Sequence, residues 1–76
     1  MANAPRIGNF VKLEIASGSG VALGTYRWFN LDEIQALTRV PVGPGITAAF
    51  TALTFRSNTA DQCVEDIPEI LGTDGA

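Results

Sequence analysis

The fold is decided by one stretch, Tyr26–Ile34, which reads YRWFNLDEI. Its first four residues are aromatic or long side chains of the kind that β-strands favour. Asn30 is polar and turn-prone, and the adjacent carboxylates of Asp32 and Glu33 are typical of the start of a helical turn. Ile34 then returns the chain toward an apolar core. We therefore predict that one strand ends at Phe29 and that another begins at Ile34.

Alternation and turn residues predict more strands on both sides of this stretch. Residues 10–15 (FVKLEI) alternate apolar and polar side chains, which predicts a half-buried strand. Residues 34–42 are predicted as the third strand, although residues 33–38 are also compatible with the start of a helix. A long strand at 46–56 and a short one at 61–64 are separated by a turn at Ser57–Thr59.

The predicted fold class is mainly β: a small twisted antiparallel sheet or partial barrel with a short C-terminal helix. That helix, within residues 65–71, is capped by Asp66 and ended by Gly72. Residues 1–9 are predicted to be a flexible arm, residues 10–71 a single small β domain, and residues 72–76 a flexible tail. The strand phases place Tyr26 and Trp28 inward. The predicted core consists of Val11, Leu13, Trp28, Ile34, Leu53 and Phe55.

The composition argues against most kinds of chemistry. With 76 residues, one Cys and no His, the chain has no intrachain disulfide, no four-ligand zinc site and no His-based nucleophile activation. Cys63 is expected to be a buried apolar residue. No secretory signal and no membrane-length apolar run, about 18 residues, is apparent. We expect a non-catalytic cytoplasmic protein of bacterial or phage origin, without cofactor, metal or membrane partner.

Three segments resemble the small FlbD-type flagellar regulator family. They are Phe29–Ile34 (FNLDEI), Ala52–Ser57 (ALTFRS) and Val64–Ile70 (VEDIPEI), and the resemblance spans roughly residues 10–71. The chain departs from the family pattern at Pro41–Ile46, which looks like an insertion, and at Asn58, where the family usually has a turn glycine. The resemblance implies a strand-rich fold and regulation through a protein partner, without catalysis.

Two functional hypotheses follow from the surface residues. The first is a small non-catalytic protein-interaction or regulatory module that forms homo-oligomers and binds another protein, with Phe50 in the oligomer interface. The second is binding of single-stranded nucleic acid or an acidic ligand by a basic and aromatic sheet face. That face would be formed by Lys12, Arg27, Phe29 and Arg56. The formal net charge of −3 disfavours the second hypothesis.

Overall fold

An antiparallel sheet of six strands forms most of the domain. The structure, a computed structural model, describes residues 3–73. The predicted class, mainly β with one short C-terminal helix, is confirmed. The elements are β1 (Arg6–Ile7), β2 (Phe10–Ala16), β3 (Ala22–Asn30), a 3-10 turn (Leu31–Glu33), β4 (Ile34–Val40), β5 (Phe50–Phe55), β6 (Ala60–Cys63) and α1 (Ile67–Leu71).

Strand β2 is the centre of the sheet because three other strands pair with it. β3 covers one of its edges, whereas β1 and β6 share the other edge. β5 and β4 follow β6, so β3 and β4 are the two outermost strands. The 3-10 turn joins these two strands directly, and no pairing between them occurs in residues 3–73. The sheet is therefore open and does not close into a barrel.

The core lies on one face of this sheet. Val11, Leu13 and Leu53 are fully buried, which confirms three of the predicted core positions. Ile34 and Phe55 are partly buried and pack against this cluster. The cluster is completed from outside the long strands, by residues including Ile70 of α1 and Ala4.

The side-chain phase predicted for β3 is wrong. Phe29 is only 6% exposed, whereas Trp28 and Tyr26 are 45% and 54% exposed. In the sheet, Phe29 lies opposite Val11, and its ring stacks on that of Phe55 with centroids 5.7 Å apart. A shift by one residue exchanges the two faces of a strand. Because both phases of β3 contain aromatic residues, the alternation alone did not distinguish them.

The N-terminal residues are tied to the C-terminal helix. The backbone N–H of Ala4 donates to the Glu69 carbonyl at 3.1 Å, and Nη2 of Arg6 donates to the Ile70 carbonyl at 2.6 Å. Residues from the predicted arm, 1–9, thus take part in the domain, although residues 1–2 lie outside the described part. Of the predicted tail, 72–76, the structure describes only Gly72 and Thr73.

Strands β4 and β5 are shorter than predicted. Residues 34–40 are a strand, which settles the alternative of a helix over 33–38. β5 begins at Phe50 rather than at residue 46. The reason is that the preceding segment turns at Gly43–Ile46, and Thr47 then donates its N–H to the Ser19 carbonyl, which belongs to a distant loop.

The predicted helix caps are confirmed. The Asp66 side chain accepts the N–H of Ile67 at 2.7 Å, and Glu69 completes a capping box by accepting the N–H of Asp66. Gly72 ends the helix in the left-handed conformation, with φ of 78°. Asn30 caps the 3-10 turn in the same way, because its Oδ1 accepts the N–H of Asp32 at 3.0 Å.

Candidate interaction surface

Of the four residues of the predicted ligand surface, only Arg27 and Phe29 come together. Lys12 lies directly opposite Trp28 on the outer face of the sheet. Arg27 and Phe29 belong to the other phase of β3, and Phe29 is buried. Arg56 follows the end of β5. One continuous basic and aromatic face built from these residues is therefore absent from the described structure.

Several arginines are committed to contacts within the domain. Arg27 pairs with Asp61 at 3.2 Å, and its guanidinium lies 5.6 Å from the centroid of the Phe29 ring. Nε of Arg56 donates to the Asp32 carbonyl at 2.8 Å. The positive charges are thus distributed along the fold and are not clustered as phosphate binding requires.

Arg39 has a structural role that the sequence did not indicate. Its Nη1 donates to the carbonyls of Val64 and Glu65, each at 3.2 Å, and to Oγ1 of Thr51 at 3.0 Å. The fully buried Thr51 hydroxyl in turn donates to the Glu65 carbonyl at 2.6 Å. Arg39 therefore joins β4 to the segment that leads into α1.

Two ionisable groups near this network have raised pKa values. Burial raises the pKa of the Cys63 thiol to about 12, and the nearby Glu65 carboxylate adds to the shift. The thiol is therefore protonated at neutral pH, which fits the expectation of a buried apolar residue and gives no nucleophile. Burial also raises the pKa of Glu65, although its carboxylate accepts the backbone N–H of Glu14 at 3.0 Å.

Phe50 is enclosed by its own chain. Its side chain is 6% exposed and lies close to Gly20 in the loop after β2. A contact with a second molecule would need this loop to move. The oligomer interface proposed for Phe50 stays a prediction that this placement does not favour.

The most prominent exposed feature is an apolar surface on the outer face of β1, β2 and β3. Ile7 lies opposite Phe10, and Lys12 lies opposite Trp28. Residues directly opposite each other in antiparallel strands point to the same face. We call this surface the aromatic face. Its large apolar members are Ile7, Phe10, Tyr26 and Trp28, which are 70%, 47%, 54% and 45% exposed.

Two opposite charges lie within the aromatic face. Nζ of Lys12 is 5.1 Å from the centroid of the Tyr26 ring, so the cation lies over an aromatic surface. The Tyr26 hydroxyl donates to Oε1 of Glu14 at 3.5 Å. Lys12 and Glu14 alternate with buried residues on β2, so the face combines half-exposed rings with one positive and one negative charge.

An apolar groove lies between β4 and α1. It has a volume of about 390 Å³. We call it the β4–α1 groove. The side chains and backbone that line it belong to Leu31, Ile34, Gln35, Ala36, Leu37, Ile67 and Leu71.

Residues 3–73 contain no group of three or more Cys, Asp and Glu residues that could hold a metal ion. The helix in this part of the chain is too short to span a membrane.

Comparisons with protein-family models, curated proteins and solved structures find no match to this chain. The resemblance to FlbD-type regulators therefore stays a prediction, and the geometry of the two surfaces carries the functional argument.

Proposed function

We propose that the protein is a small non-catalytic interaction module that associates with a second copy of itself through the aromatic face. The supporting observation is the contiguity of four large apolar side chains, each 45–70% exposed, on one side of the sheet. Scattered exposed apolar residues are normal on a soluble protein, but a contiguous patch marks an interaction site.

The size of the face suggests a weak dimer. Each of the three half-exposed aromatic side chains offers about 100 Å² for burial, and Ile7, which is 70% exposed, offers a similar area, so the four residues offer roughly 400 Å² per copy. Two copies would bury roughly 800 Å² of apolar surface, which is below the 1,200–2,000 Å² total of standard interfaces. We therefore expect a weak dimer that is populated only at high protein concentration.

The charges favour a second copy as the partner. Lys12 and Glu14 are two positions apart on the same strand and point to the same face. A twofold axis between them would place Lys12 of one copy against Glu14 of the other, and the reverse contact would form at the same time. A twofold interface is self-complementary in this way.

Charge reversal tests this arrangement. Lys12→Glu and Glu14→Lys would each place like charges across the twofold axis, so each variant alone should be monomeric. The double variant restores opposite charges, as does an equimolar mixture of the two single variants. Sedimentation velocity from about 5 to 500 μM covers the concentrations at which weak dimers form. A wild-type protein that stays at the mass of one chain, or a double variant that fails to dimerise, would refute the proposal.

A second candidate function is stacking of single-stranded nucleic acid on the aromatic face. It is favoured by one observation, the three aromatic rings beside Lys12 on a sheet surface. Among residues 3–73, Lys12 is the one cation on that face, so we expect no binding of an oligo(dT) strand at about 50 mM salt, where phosphate contacts are strongest. Fluorescence anisotropy would measure this. Binding that Lys12→Ala weakens would replace the dimer proposal.

A further inference from the structure

Strand β3 is one of the two outermost strands of the sheet, and its outer edge is open. Within residues 3–73, β3 pairs with β2 alone. The strand is nine residues long and contains neither lysine nor proline, which are two of the residues that protect natural sheet edges from pairing. Its register with β2 is regular from Asn30 back to Tyr26 and shifts only between Tyr26 and Ala22. The segment Tyr26–Asn30 is therefore a regular strand with one unpaired edge.

The hydrogen bonds of β2 identify the backbone groups that this edge presents. Opposite residues in an antiparallel pair exchange both main-chain hydrogen bonds or neither. The N–H of Lys12 donates to the Pro5 carbonyl, on the side of β2 away from β3. Trp28 lies opposite Lys12, so its own N–H and carbonyl point away from β2. The N–H groups of Tyr26 and Asn30, two positions to either side, share this outward direction.

We propose that β3 pairs along this edge with β3 of a second copy, antiparallel and with the twofold axis at Trp28. The two Trp28 residues exchange both main-chain hydrogen bonds, and the Asn30 N–H of each copy donates to the Tyr26 carbonyl of the other. The β2–β3 units of the two copies then form one continuous sheet. This edge contact uses backbone groups, whereas the contact through the aromatic face uses side chains.

Arg27 selects this register over its two neighbours. With the axis at Trp28, Arg27 lies opposite the uncharged Phe29 of the second copy. With the axis at Arg27, the two Arg27 side chains would lie directly opposite each other, and like charges in that arrangement are destabilising. With the axis at Phe29, Tyr26 would lie beyond the strand of the second copy and its outward groups would lack a partner. The register centred on Trp28 avoids both costs.

The edge contact supplies the area that one aromatic face lacks. It places the two Trp28 side chains next to each other on the same side of the joined sheet, so that the aromatic faces of the two copies merge. The merged surface offers roughly 800 Å². Two such surfaces packed together bury roughly 1,600 Å² in total, which is the size of a standard interface. The assembly is then a tetramer with twofold symmetry, a common closed form.

The edge and face contacts form together. A few main-chain hydrogen bonds contribute little net free energy, because each one replaces hydrogen bonds to water. The edge contact therefore rests on the proposed face contact, which holds the second pair of copies in place and raises their effective concentration. Lys12→Glu, which removes the face contact, should for this reason also prevent edge pairing.

Amide hydrogen exchange followed by NMR tests the edge contact in the unmodified protein. The Trp28 amide should exchange at least about tenfold more slowly at about 1 mM protein than at about 50 μM, because edge pairing gives it an acceptor. The Phe29 amide is the matched control. It points toward β2, opposite Val11, and should be protected at both concentrations.

N-methylation of the Trp28 amide, introduced by chemical synthesis of the chain, removes the outward N–H and leaves every side chain in place. Sedimentation velocity at about 1 mM should find the wild type at the mass of four chains and the N-methylated protein at no more than two. Far-ultraviolet circular dichroism at low concentration should be the same for both proteins, because the methylated amide has no partner within residues 3–73.

The contrary results separate this inference from the proposed function. Association that stops at two chains, with an unchanged Trp28 exchange rate, would overturn the edge contact and leave the face contact standing. Dimers that slow Trp28 exchange and survive Lys12→Glu would support the edge contact and refute the face contact. A wild type that stays at the mass of one chain would overturn both.

Discussion

Replacing Phe29 by alanine should nearly unfold the domain, whereas replacing its neighbour Trp28 should not. Phe29 is buried and stacks on Phe55, so its loss removes apolar contact and leaves a cavity. Such substitutions cost about 3–5 kcal/mol. A 76-residue chain at 0.05–0.15 kcal/mol per residue has a total stability of about 4–11 kcal/mol. Phe29→Ala would thus remove a large part of the total free energy of unfolding.

Trp28→Ala removes a side chain that is about half exposed, so the substitution leaves no enclosed cavity. We expect a cost of about 1–2 kcal/mol. Phe10→Ala provides a control of identical chemistry to Phe29→Ala, because Phe10 is also half-exposed, and it should cost about 1 kcal/mol.

Urea denaturation followed by far-ultraviolet circular dichroism would measure all three variants. Tryptophan fluorescence is unsuitable because Trp28 is the only tryptophan and is removed in one variant. The protein concentration should be low, about 5 μM, since dimerisation would add apparent stability. A larger loss for Trp28→Ala than for Phe29→Ala would refute the side-chain phase of β3 and, with it, the aromatic face.

Two further predictions concern the loop after β2 and the partly buried carboxylate of Glu65. A Cβ on Gly20 would lie 1.7 Å from the Ala48 carbonyl oxygen and would sit on a backbone with φ of 91°. Gly20→Ala should lower the free energy of unfolding by about 3 kcal/mol or more in urea denaturation. Gly24 also has a positive φ but open space around it, so Gly24→Ala should cost about 1–2 kcal/mol. Equal costs for the two variants would contradict the close approach of Gly20 to Ala48. The raised pKa of Glu65 means that the folded state holds this proton more tightly than the unfolded state, so its contribution to stability falls as pH rises above the ordinary carboxyl range. Glu65→Gln should therefore gain stability relative to the wild type between about pH 4 and pH 7, and a difference that is constant or reversed across this range would contradict the assignment.

The local features of the fold were predictable from sequence because their causes are local. Asn30, Asp66 and Gly72 each act on backbone groups within a few residues of themselves, so their types and spacing suffice to place the turn and the helix. The alternation in β2 was equally clear, because the apolar Val11 and Leu13 alternate with the charged Lys12 and Glu14 and so identify the buried face of the strand.

The features that were not predicted depend on contacts between residues that are distant in the chain. The start of β5 is set by Ser19, which holds Thr47, and the packing of Ala4 is set by the helix residue Glu69. The residue pattern within each segment does not indicate these long-range contacts. The start of β5 and the packing of Ala4 could therefore not be predicted from the local sequence.

The aromatic face was missed for a related reason. Its signal was present, because Tyr26 and Trp28 share one phase of β3 and Phe10 shares the polar phase of β2. Recognising the face requires the register that places Lys12 opposite Trp28. The larger rings were instead assigned to the core, although the smaller Phe29 fits against Phe55.

The narrow junction between β2 and β6 has a consequence for how the chain folds. Ile15 and Cys63 are the only directly paired residues there, and the Glu65 carboxylate accepts the Glu14 N–H in place of a strand carbonyl. The β2–β3 and β4–β5–β6 units are each built from consecutive strands, so each can form from local contacts, whereas the junction closes a loop of nearly fifty residues. Native-state hydrogen exchange should therefore find the amides of Glu14 and Val64 opening at lower free energy than those within either unit.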